Sequence, residues 1–150
     1  MGTKATIAVE NKKGGVSMMR VHYDGYPEYT GKILLENYDS LEFAQGLVEM
    51  GDVSELLKTV VATEFFSRDL KEPLNVKRFL NFEMYRMTAA VLEYNYLFTG
   101  GEWQLVKRGK GGAFTLYPLK GFTGFTWEPD SPGPKYPLRM RNCPSFIVGW

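Results

Sequence analysis

Hydrophobic and polar side chains alternate with a period of two near the start of the chain. Met19, Val21 and Tyr23 interleave with Met18, Arg20 and His22. A strand sends successive side chains to opposite faces, so this spacing predicts a strand over Val16–Tyr23 with Arg20 and His22 on one side. Ala5–Glu10 reads as a second strand. Asn11-Lys12-Lys13-Gly14-Gly15 lies between them, and its glycines supply the positive φ that a tight reversal needs. The two segments are expected to form a β-hairpin, closed off by the turn residues Asp24-Gly25-Tyr26-Pro27.

From Thr30 the period changes. Ile33, Leu34 and Leu35 precede Tyr38 at helical spacing. A second helix is expected from an Asp39 cap, with Glu42 completing a capping box, Phe43, Leu47 and Met50 buried, and a stop at Gly51. The same pattern follows at once: Asp52 as cap, Glu55 three residues on, then Leu56, Leu57, Val60 and Val61. Residues 64–69 read as a short strand with a polar end. Residues 76–85 carry apolar side chains at 76, 79, 80 and 84, which is helical spacing.

The second half returns to strands. Residues 89–98 and 103–108 flank Thr99-Gly100-Gly101-Glu102 and form the plainest hairpin in the sequence. A glycine-rich turn over 109–112 leads to a last strand over 113–118. Beyond it, prolines 129, 132, 134 and 137 exclude helix and central strand. That stretch keeps Phe122, Phe125, Trp127, Tyr136, Phe146 and Trp150, so an extended tail over 121–150, pinned by aromatics to the domain or to a partner, is expected.

These elements predict an α+β domain over residues 1–120. Its antiparallel sheet would come from the N- and C-terminal hairpins, with the short helices packed on one face. At 150 residues the chain supports one core, since two separate ones would each be marginal. The net charge is +1, which gives no global field for nucleic acid or an anionic membrane, so either would need a local patch. Lys107, Arg108, Lys110, Lys135, Arg139 and Arg141 among aromatics are the one basic set suited to single-stranded nucleic acid, though dispersed surface cations explain them as well. The single cysteine, Cys143, excludes an internal disulfide and reads as a passive thiol. The first eight residues lack a secretory leader's basic start and apolar run. No apolar stretch approaches the ~18 residues of a membrane span, so a cytoplasmic protein is expected.

Residues 21–28, Val-His-Tyr-Asp-Gly-Tyr-Pro-Glu, and 31–38, Gly-Lys-Ile-Leu-Leu-Glu-Asn-Tyr, resemble a family of small uncharacterised proteins of phages and bacterial genomes. Its pattern is His, one residue, Asp-Gly-Tyr-Pro, then Gly-Lys, Leu-Leu-Glu, one residue and Tyr. Residues 47–54, 65–69, 93–98 and 101–103 are similar to later segments of that family, in order, so the likeness covers most of residues 1 to about 108 and stops before the tail. Ser67 stands where the family has glycine, and Leu70-Lys71-Glu72 where it has Arg-Gly-Glu. The resemblance implies a phage or mobile-element accessory protein working in the bacterial cytoplasm; it implies no reaction.

The candidate residues follow from these motifs. His22 is the only histidine, and with Asp24 it would form an acid/base pair; a strand-end histidine bonded to turn backbone is the plainer reading. Tyr26, Glu28, Lys32, Arg68 and Asp69 are candidate ligand-binding residues. Arg68 would hold a phosphate or carboxylate in its planar fork, or else pair with Asp69 to fix a loop. One histidine and a distant cysteine make no zinc site, so no metal is expected, although Asp24 and Asp69 leave a magnesium site open. Gly109-Lys110-Gly111-Gly112 lacks the spacing of a phosphate loop. Two functions fit: binding a host protein or a nucleotide-like ligand, or a small enzyme acting on a phosphate-containing or nucleotide substrate. The sequence names no cofactor, and it leaves a homo-oligomer open.

Overall fold

The computed structural model describes residues 3–89, 92–108 and 114–120. The expectations for the 109–112 turn and the 121–150 tail, Cys143 included, lie outside them. The first hairpin forms as its pattern predicts: β1 (Ala5–Glu10) pairs antiparallel with β2 (Val16–Tyr23). Its turn is held by Asn11, whose Oδ1 accepts from the backbone N–H groups of Lys13 and Gly15, while Gly14 takes φ +93°. A π-helical turn (Pro27–Gly31) then runs into α1 (Lys32–Asn37), followed by α2 (Leu41–Val48). Next come β3 (Val53–Glu55), α3 (Phe66–Leu70), β4 (Lys77–Phe79) and α4 (Phe82–Thr88). The late hairpin, β5 (Tyr94–Thr99) and β6 (Glu102–Arg108), turns on Gly100 and Gly101, both at positive φ, and β7 (Phe114–Pro118) adds to β6.

The described residues make one seven-stranded sheet, ordered β3-β2-β1-β5-β6-β7, with β4 also on β2. It is mixed where a purely antiparallel sheet was expected. β1 runs parallel to β5, with Ala5 opposite Tyr94 and Val9 opposite Phe98, and β3 runs parallel to β2. A turn fixes only the pairing inside its own hairpin. How two hairpins dock is decided by the long connection between them, and a long connection permits parallel neighbours.

Helices cover both faces, where cover on one was expected. On one face Ile7, Val9, Met19, Val21, Tyr96, Phe98, Trp103 and Leu105 pack under Ile33, Leu34 and Tyr38 of the first helical segment and Ala44, Leu47 and Val48 of α2. On the other, Ala8, Val16, Met18, Leu97, Val106, Phe114 and Leu116 lie under Phe82 and Tyr85 of α4. Phe114 meets Phe82 and Tyr85 edge-on, at ring separations of 5.8 and 6.1 Å. The cause is β1, whose residues Ala5 to Val9 are at most 1% exposed; a strand buried on both sides needs cover on both.

Three local expectations fail for tertiary reasons. Asp52 does not cap a helix. Val53 instead joins the sheet opposite Val21, and the segment after it is irregular. Residues 76–85 divide at Asn81, whose side chain accepts from the Met84 N–H and starts α4, so that β4 can pair with the first half of β2. Residues 64–69 yield helix α3, with Phe65 alone bridging back to Val53. Smaller shifts occur too. Ser40 rather than Asp39 caps α2, Phe43 points outward at 60% exposure, and the strand foreseen over 89–98 begins only at Tyr94.

Two buried hydrogen bonds tie the helical layer to the sheet. Trp103 donates its indole N–H to the Tyr38 carbonyl at 3.0 Å, and Tyr96 donates its hydroxyl to the Gly25 carbonyl at 2.7 Å. Gly25 sits so close to β1 that a Cβ there would lie 2.6 Å from that of Ala5. Tyr96→Phe strands the Gly25 carbonyl in the core and is expected to destabilise the fold by about 1–3 kcal/mol. In urea the midpoint should fall with an unchanged slope. An unchanged midpoint would show that the bond contributes nothing.

Candidate functional site

The turn that ends β2 builds the first wall of a groove. Asp24 takes the left-handed conformation (φ +57°), and its carbonyl accepts from the Thr30 hydroxyl at 2.6 Å. With Tyr96 holding Gly25, this pins the start of the Pro27–Asn37 helical segment. The face it presents carries Glu28, Lys32 and Glu36 along the rim and Tyr29 and Ile33 below. The Tyr29 phenol is hydrogen-bonded to Glu55, and burial together with that bond pushes its pKa up to about 12. It therefore stays a neutral donor at any physiological pH.

The opposite wall is the irregular segment after β3: Leu57, Lys58 and Ala62. Its shape is imposed by side chains. Tyr38 donates to the Leu57 carbonyl, and the Thr63 hydroxyl donates to the Thr59 carbonyl and accepts from the Leu57 N–H. Arg68 completes the frame: Nη1 donates to the Val60 carbonyl, and Nη2 to those of Val61 and Thr63. Nε and Nη2 also grip Asp69, and the guanidinium lies 4.9 Å from the centre of the Phe65 ring. Asp69 in turn accepts from the Phe65 N–H. Arg68 and Asp69 thus form the loop-fixing pair, one of the two readings the sequence left open.

The space between the walls is about 530 Å³, within the range of small-molecule sites. Its floor is apolar. Neither Lys32 nor Lys58 is in an ion pair among the described residues. Of the residues nominated from sequence, Glu28 and Lys32 line this groove, and Tyr26 lies just outside, its ring 6.3 Å from that of Tyr29. Tyr29, Leu57, Lys58 and Ala62 were not foreseen. Spacing offered a signal for Tyr29, four residues before Ile33 on one helical face, but none for the opposite wall, which was read as helix.

His22 is elsewhere. Half-buried, it lies against Phe66 with ring centres 4.7 Å apart, and its Nε2 is shielded without a hydrogen-bond partner among the described residues. Burial lowers its pKa. Lys4 and Arg20 act in the same direction, while Asp52 and Glu72 oppose. Among the described residues no three of His, Cys, Asp and Glu gather closely enough to hold a metal ion, and no helix is long and apolar enough to cross a membrane. No protein-family model matches the chain, and no curated protein or solved structure is detectably similar to it.

Two outcomes follow. A histidine whose folded pKa lies below 6.5 binds fewer protons than in the unfolded chain, so stability is lost as pH falls below that value. Melting temperatures of the wild type should drop between pH 7 and pH 5.5, and those of His22→Gln should drop less. Equal slopes would show that His22 protonates freely in the fold. Removing the guanidinium in Arg68→Ala should speed amide exchange of residues 57–63 while β1 and β5 keep their protection. Unchanged exchange there would contradict its role as the frame of the groove.

Proposed function

We propose that the protein acts by binding, and that its ligand is a small molecule joining a flat apolar group to an anionic one, of the nucleotide kind. The observation that carries this reading is the groove itself. It has an apolar lining of Tyr29, Ile33, Leu57 and Ala62, with two lysines, one on each wall, in no ion pair among the described residues. The ring would lie on the floor, near the neutral Tyr29 hydroxyl, and the phosphate between Lys32 and Lys58. Glu28 and Glu36 on the same rim disfavour a highly charged polyphosphate and favour a mono- or diphosphate. The wider setting, a phage or mobile-element accessory role in a bacterial cytoplasm, rests on the sequence resemblance alone.

The enzyme reading, with His22 and Asp24 as acid/base and Arg68 as anion clamp, has less support. Those three residues line neither the groove nor the smaller hollow described below. Binding to a host protein would instead draw on the exposed Leu80, Met84 and Met87 around α4.

Thermal unfolding against mono-, di- and cyclic nucleotides tests the proposal. A ligand at a hundred times its dissociation constant adds about 2.7 kcal/mol. For a domain of this size that is a rise of roughly 5–10 °C. The rise should shrink sharply in Lys32→Ala/Lys58→Ala, whose unliganded melting temperature should stay near wild type because both side chains are exposed and in no ion pair among the described residues. No rise with any nucleotide, or the same rise in the double variant, would overturn the assignment.

A further inference from the structure

The outer edge of β2 is shared by two short strands. β4 takes the first half, up to Met18 opposite Lys77, and β3 the second, from Val21 opposite Val53. Between them, on that outer edge, Met19 and Arg20 have no strand neighbour among the described residues. Asp52, only 5% exposed, fills that gap. One carboxylate oxygen accepts from the Arg20 backbone N–H, and the other accepts from Arg20 Nε and Nη2 and from the Asn75 side chain. The guanidinium is thereby held in one direction, with about half of the side chain's surface open and Nη1 without a hydrogen bond to any described residue.

Beside it lies a hollow of about 200 Å³, lined by Thr6, Arg20, Asn75, Lys77 and Leu92 among others. Register places its polar groups together. Thr6 is opposite Arg20 across the β1–β2 ladder, and Lys77 is opposite Met18, which shares Arg20's face. Lys77 is in no ion pair among the described residues. Two cations thus flank the hollow, and the one carboxylate that also lines it, Asp52, already accepts from four donors.

We infer that this hollow is a seat for a small oxyanion, either free phosphate or the phosphate end of a compact monoester. The space is too small for a nucleotide. An Arg oriented by a buried carboxylate, with Lys beside it, is pre-organised to grip oxygen atoms. The inference does not depend on the groove, which is built from other residues.

The test is titration of the full-length protein with inorganic phosphate, and separately with phenyl phosphate, followed by backbone amide shifts at constant ionic strength in sodium chloride. Saturable shifts are expected at Arg20, Asn75 and Lys77. Equal responses to both ligands would identify the phosphate group as what is recognised, whereas a response to inorganic phosphate alone would identify the free ion as occupant. Lys77→Ala should bind roughly tenfold more weakly, as loss of a charged partner implies, with an unchanged melting temperature. Arg20→Lys keeps the charge but loses the fork, and should weaken binding as well. Lys32→Ala/Lys58→Ala should bind phosphate here as the wild type does. The inference is overturned if the shifts do not saturate, if sodium chloride alone reproduces them, or if Lys77→Ala binds as tightly as the wild type.

Discussion

Everything else in this fold follows from the burial of β1. Ala5, Thr6, Ile7, Ala8 and Val9 are closed off on both sides and flanked by β2 and β5, so the sheet cannot be a one-sided platform. One face is closed by α1 and α2, the other by α4. The polar groups on so enclosed a strand must be satisfied within the protein, and they are: the Thr6 hydroxyl donates to Asn95 Oδ1, and Asn95 in turn secures the backbone of Leu92. Beyond β2 the sheet ends in two short strands where one long one would fit, and a buried carboxylate bridges the break. An aspartate there satisfies a backbone N–H that a neighbouring strand would otherwise take.

The groove is a consequence of the same layering. Once α1 is laid across the sheet and tied by Trp103 and Tyr96, the chain must return from β3 along its flank. That return has no regular structure of its own, so side chains supply its hydrogen bonds. Arg68 serves three carbonyls of the segment and Tyr38 a fourth. The residue that looks most like an anion clamp in the sequence is therefore occupied at the surface by the loop's own carbonyls and Asp69, and the groove's cations with no ion pair among the described residues are Lys32 and Lys58. A guanidinium has a rigid fan of donors and suits the framing role; an ammonium on a flexible stem is free to meet a ligand.

Much of this was legible in the residues, and the parts that were not share a cause. β1 and β2 were readable to the residue, because alternation and the Asn11–Gly15 turn are local signals. The Gly100–Gly101 reversal and the stop at Gly51 were readable for the same reason. The Asp52 segment was misread because a capping pattern is also local, yet Val53 gains more by joining the sheet edge. Arg68 was seen as either clamp or loop tie, and only the path of residues 60–63 decides between them. Lys32 and Glu28 were nominated from a resemblance and do line the groove. Their partners Lys58 and Leu57 come from across a fold that no spacing rule connects.

The most direct test of the central claim is to map a nucleotide's contacts on the folded chain. A titration of isotope-labelled protein with adenosine diphosphate, read by backbone amide shifts, should perturb Tyr29, Lys32, Ile33, Lys58 and Ala62 together, with one dissociation constant. Perturbations confined to the His22 end of β2, to α4 or to the late hairpin, with residues 29–33 and 57–62 silent, would show that the groove is not where this protein meets its ligand.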